Sequence, residues 1–341
     1  MKRSHPPRFP SDDTLWRATW VLNAPGFLAL SLATVAIFYQ AGFMAWGPAP
    51  WLAALKLPVL AGLAVALAAE ARASFGGACQ RGGTPVGIGD DAADWLSVLA
   101  SALVGYLASA ELGVSNVIVS SLIGISGAIL LPQRAVAIYC GSFAGMASPV
   151  AFESVGSVLL SGALSATVFV SAKPCFQGVG GRLGAAAYAG SLASSLLLGV
   201  PLLGDDIPNP GLAAGMVAYA VIGSVSTYAV SVRLGRGPVM ASAFFGLLAG
   251  VLLPAIHGTQ EGRLFDAAFF AGSFVGMSSL ARLRHEGEAG MAGVICGLAY
   301  VVAMPWFGGA GGKLGTLAFG SVLAYLGLRS AVRGLLGKST H

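Results

Sequence analysis

Two stretches of the chain, 141–148 and 272–279, carry one pattern, G-S-F-x-G-M-x-S. Its hydroxyls, Ser142, Ser148, Ser273 and Ser279, can donate and accept hydrogen bonds without carrying charge. Phe143, Phe274, Met146 and Met277 offer apolar and polarizable contact beside them. Such residues suit two tasks. Small residues let two helices cross closely, with the serines bonded across the contact. Alternatively, the same side chains line a midplane site for a small solute. A second shared pattern, P-x-F-x-G-x-G-G-[RK]-L-G, covers 174–184 and 305–315 and places Arg182 and Lys313 at equivalent positions. Glycine-dense backbone leading into a helix exposes N–H groups, and with a cation beside it can hold an anion. The plainer reading is a tight turn whose basic residue snorkels to the headgroups.

Other chemistry is excluded by composition. His5, His257, His285 and His341 lie far apart, and Cys79, Cys140, Cys175 and Cys296 show no CxxC spacing, so no metal, cofactor or disulfide framework is expected. Asp90, Asp91 and Asp94 form a DDxxD match that resembles the magnesium diphosphate site of membrane prenyltransferases. No strong second acidic cluster accompanies it on the same side, and a cap and charge cluster before a helix is the better reading. The run ending at Lys313 is no phosphate loop, because Phe307 stands where the first glycine belongs and Leu314 where Ser or Thr should bind magnesium. No carboxylate falls at the centre of an apolar segment, which argues against proton coupling and leaves sodium coupling or uncoupled passage.

The elements that must position these residues are apolar helices. Hydrophobic residues make up 56% of the 341 and charged ones 10%, against about a quarter charged in a soluble domain. Apolar segments recur about twelve times, at 26–47, 50–70, 94–111, 114–132, 135–152, 155–172, 183–200, 211–231, 237–254, 265–281, 288–304 and 314–332. With the N-terminus inside and all of them crossing, only Lys56, Arg263 and Lys313 of the 19 Lys and Arg residues lie outside. The formal charge of +5 then reports cytoplasmic loops rather than nucleic acid. Residues 1–25 read as a cytoplasmic segment with a short interfacial helix bearing Leu15, Trp16 and Trp20.

A shift of 131, Gly141 onto Gly272, aligns both motifs without a gap, and about one position in three is identical over 135–200 against 266–331. Upstream the shift is 122, Ser120 onto Ser242, and an insertion near His257–Phe265 accounts for the difference. The expected fold is therefore an all-α polytopic membrane protein. Two peripheral helices in 26–72 precede a repeat over 94–200 and a second over 211–332, with a cytoplasmic tail at 333–341. Each repeat holds five segments, an odd number, so the second must be inverted in the membrane. This plan resembles that of many secondary transporters and some solute channels. The expected function is passage of a small solute, an anion or polar neutral molecule, across an inner membrane, with both termini cytoplasmic. The site would comprise the four serines, Phe143, Phe274, Met146, Met277, Arg182 and Lys313. Partners are the bilayer and the solute, with room for homo-oligomerisation. The alternatives are a membrane enzyme acting on a lipid or isoprenoid diphosphate at Asp90, Asp91 and Asp94, and a structural subunit.

Overall fold

The computed structural model describes residues 12–44, 50–75 and 88–338. Among them the chain forms twelve α-helices: α1 (Asp12–Met44), α2 (Pro50–Phe75), α3 (Ile88–Leu112), α4 (Asn116–Leu130), α5 (Ala135–Ala144), α6 (Val155–Ser171), α7 (Arg182–Leu198), α8 (Pro210–Tyr228), α9 (Pro238–His257), α10 (Thr259–Gly276), α11 (Glu286–Ala303) and α12 (Lys313–Lys338). A π-turn over Ala229–Arg233 extends α8. Seven helices, α1, α2, α3, α8, α9, α11 and α12, are long and apolar enough to cross a membrane by length and composition. The molecule is an all-helical, multi-pass membrane protein in its build.

Local chemistry sets the helix ends. The Ser115, Ser154 and Asn209 side chains accept from the backbone N–H of Val117, Ser157 and Leu212, capping α4, α6 and α8. Pro210 and Pro238 open α8 and α9, where a missing N–H costs nothing. Gly199 closes α7 in the left-handed conformation.

Helix boundaries correct three expectations. α1 runs unbroken from Asp12, with no separate interfacial helix; the side chains of Leu15, Trp16 and Trp20 lie outside the described residues, as do residues 1–11 and Cys79. The tail expected from 333 continues α12 to Lys338. The fifth segment stops as a helix at Ala144, whereas the tenth begins at Thr259. The residues between His257 and Phe265 form the first turns of α10 rather than a loop.

The helices pack in matching sets. α3 lies on α5 and α6 as α8 lies on α10 and α11; α6 meets α7 as α11 meets α12. Across the middle α4 meets α9 and α7 meets α12. α1 covers α6 and α7, and α2 covers α12. α7 is buried around most of its circumference through Gly, Ala and Ser, which is what lets it sit among neighbours on several sides. Near the starts of α7 and α12, Gly184 and Gly315 approach so closely that a side chain on either would overlap the other's backbone.

Candidate functional site

The serine-bearing motifs end α5 and α10, and each is fixed against its own half of the chain. Gly141 and Gly145 press on the backbone of Val98 and Ala102 in α3, and Gly272 and Gly276 on Ala220 and Ser224 in α8. Ser142 is bonded to Ser120 at 2.7 Å and donates to the Tyr139 carbonyl; Ser273 is bonded to Ser242 at 2.8 Å and donates to the Phe270 carbonyl. Both serines are buried and take the helix-crossing task. The backbone N–H groups of Ser148 and Ser279 donate to Gly309 and Gly178, at 2.9 Å each. Each motif is thus completed by the glycine loop that follows in the other half.

The phenylalanines are what the two motifs bring together. The rings of Phe143 and Phe274 lie 4.7 Å apart between centroids, with Tyr139 tilted on Phe143 and Phe270 on Phe274, both at 4.4 Å. Above this cluster opens a cavity of about 460 Å³, with Phe143, Met146 and Phe274 in its wall. Its polar lining includes Asn116, Asp205, Arg263, Asp266, Tyr300 and Lys313. Asp205 reaches this wall because the chain before α8 pairs with the second glycine loop: Leu203 and Gly308 exchange two backbone hydrogen bonds, and the Asp205 N–H donates to Met304. Met277 packs on the core instead.

Arg182 and Lys313 start equivalent helices and do different things. The Arg182 guanidinium donates to the carbonyls of Lys173 and Cys175 at 2.9 Å, and more weakly to Ala172, so it ties down its own loop. Lys313 enters no ion pair within 4 Å among the described residues and faces the cavity. Both loops hold a phenylalanine in the left-handed region, Phe176 at φ 53° and Phe307 at φ 54°. A bulky side chain there is strained by about 1–3 kcal/mol. Phe176 is held in place by packing, stacked 4.8 Å from Phe27 of α1 and edge-on to Phe319 of α12.

Ion pairs gather at the other end, separated from Lys313 by the length of α12, about 24 Å to Arg329 at 1.5 Å per residue. Arg134 bridges Asp90 and Asp94 at 2.6 and 2.8 Å, and Lys173 bridges Asp91 and Asp94 at 2.5 and 2.6 Å. Burial opposes the charge on Lys173, but its bonds to Asp91 and Asp94 more than offset this and raise its pKa above the usual lysine value. Arg282 pairs with Glu70, Arg233 with Glu286, and Arg329 with the buried Glu288 at 2.5 Å. Cys140, Cys175 and Cys296 lie buried in the packed interior.

Comparison of the chain with protein-family models, with curated proteins and with solved structures found no match.

Two features of the site escaped the sequence reading. Tyr106 and Tyr228, related by the upstream shift of 122, each donate a hydroxyl hydrogen bond to the carbonyl of an equivalent residue, Phe152 and Leu283. Matching tyrosines across the two halves was a signal available in the sequence. Asp266 looked like a residue at a segment end, but with α10 beginning at Thr259 it sits inside the helix, 2% exposed.

Proposed function

We propose that the chain conducts a small polar solute across a membrane, through a path at the junction of two inverted five-helix repeats, α3–α7 and α8–α12. The observation that carries this reading is the cavity in whose wall Phe143 and Phe274, one from each copy of the motif, meet ring to ring. A mixed polar and apolar recess reaching an aromatic constriction is the shape of a solute site with a narrow gate. The inverted arrangement is supported by the matched packing of the halves and by the reciprocal bonds from Ser148 to Gly309 and from Ser279 to Gly178. In this reading the cavity faces outward, and the ion-paired end, with Arg134, Lys173, Arg233, Arg282 and Arg329, lies on the cytoplasmic side of an inner membrane with both termini.

The lining favours a polar neutral solute over an anion. Asp205 and Asp266 share the wall with Arg263 and Lys313, so carboxyl groups as well as cations border the path, and Arg182 is occupied with loop carbonyls. The enzyme alternative has less support, because two cations already neutralise most of the Asp90, Asp91 and Asp94 charge that a divalent ion would require.

The test is a flux screen of purified protein in liposomes with glycerol, acetamide, alanine, formate and nitrate. At least one of the first three should pass faster than through protein-free liposomes, and Phe143→Ala should raise the rate of the larger solutes. Flux of none of the five by folded protein would overturn the proposal.

A further inference from the structure

Asp266 is a carboxylate that the sequence places at a segment end and the structure buries inside α10. It lies seven residues into α10, 2% exposed, and its Oδ2 is buried without a hydrogen-bond partner. It belongs to none of the ion pairs within 4 Å among the described residues. Yet it lines the cavity. An ionised carboxylate at such a place, flanked by Phe265, Phe269 and Phe270, is costly unless it is neutralised by a proton or a bound cation. The cavity wall gives either one a route to it.

The groups around it leave it unneutralised. On α10 itself Arg263 faces the cavity one turn earlier, and Glu261 is exposed. From α11 comes Tyr300, from α12 Lys313, from the chain before α8 Asp205, and from the start of α4 the uncharged Asn116. From α8 and α9 the titratable groups at this end are Tyr219 and His257, which are bonded to each other at 2.7 Å and packed on Phe265. From α5 comes Tyr139, bonded to Ser242.

We propose that Asp266 is a proton-exchange site of the cavity: a proton from water in the cavity adds to the carboxylate, giving a neutral carboxylic acid, and leaves by the same route. This rests on the reading of the cavity as part of a solute path, and it makes that path proton-responsive. The position has no counterpart in the other half, where the shift of 131 places Ala135 at the first residue of α5. The extra turns of α10 are what carry Asp266 into the wall.

Infrared titration of the full chain in liposomes tests the protonation directly. In sodium-free buffer at neutral pH the wild type should show a carboxylic-acid carbonyl band that disappears on raising the pH. Asp266→Asn should lack it, and Asp266→Glu should keep it at a shifted frequency. Absence of the band in wild type overturns the proposal. So does its loss on adding sodium at constant pH, which would make Asp266 an alkali-cation site. A second arm imposes a pH gradient on liposomes and follows the five probe solutes. The ratio of flux with and without the gradient should depart from one in wild type and return to one in Asp266→Asn. Wild-type flux that ignores the gradient sinks the proton site and leaves the solute path standing. Absence of any flux overturns the path, and the infrared result then decides the proton site alone.

Discussion

Arg182 and Lys313 show how equivalent residues can diverge. Removing the guanidinium leaves two well-bonded loop carbonyls unsatisfied, at about 1–3 kcal/mol for a buried polar group. Arg182→Gln should therefore lower the melting temperature in detergent. Lys313→Gln should leave melting nearly unchanged and weaken apparent solute affinity on the cavity side about ten-fold, the lower end of a hydrogen bond to a charged group. Equal melting losses in both variants would remove Lys313 from the site. Phe176 and Phe307 diverge too. Asn tolerates the left-handed backbone, so Phe307→Asn, at a partly buried position packed on the core, should cost less than the same change at the fully buried Phe176. Phe176→Asn forfeits a fully buried ring, worth about 3–5 kcal/mol, and should melt far earlier in the same assay. At this scale the sequence was legible as to which residues matter in pairs. It was silent on which member of a pair turns inward, since that depends on neighbours such as Phe27, distant in the chain.

Among the elements, α5 and α10 hold most of the information. Their shared glycines predicted close crossings, and the crossings exist, although the surfaces they meet are α3 and α8 rather than one another. The pattern of small residues reports that something comes near without saying what. Gly272 is the sharper test, because an added methyl would run into the Ala220 carbonyl. Gly272→Ala should destabilise by about 1–3 kcal/mol, read as a lowered melting temperature. Gly89→Ala, at the exposed start of α3 with nothing within 4 Å, should not lower it, since alanine gains helix propensity there. The length of α10 was harder to see. Thr259-Gln-Glu-Gly-Arg is polar enough to resemble a loop, and only its packing under Pro254 through Gly262 makes it helix.

For the whole molecule, inversion is the claim with the widest reach. Val114 and Arg236 occupy equivalent positions under the shift of 122, in the turns after α3 and after the π-turn. Single cysteines at these two places on a cysteine-free background should react with an impermeant reagent from opposite sides of the membrane, Val114→Cys from outside and Arg236→Cys from inside. Labelling from one side would end the inverted reading. The internal similarity of the sequence was visible because motif identity survives in residues that packing cannot easily exchange, the glycines and phenylalanines. The cavity was not, because it is assembled from α3, α4, α5, α10, α11, α12, the second glycine loop and the chain before α8, which no single local pattern links.

The reciprocal bonds between glycine loops and motifs also bear on synthesis. The amide of Ser148 finds its acceptor at Gly309, which leaves the ribosome much later, and the Gly178 carbonyl must wait for Ser279. At translation rates of about 5–20 residues per second, the first half spends many seconds in or beside the bilayer with backbone groups that lipid cannot satisfy. Chains stalled before Gly309 should therefore stay bound to the insertion machinery or be cleared by proteases, while release should come abruptly once the second loop has emerged.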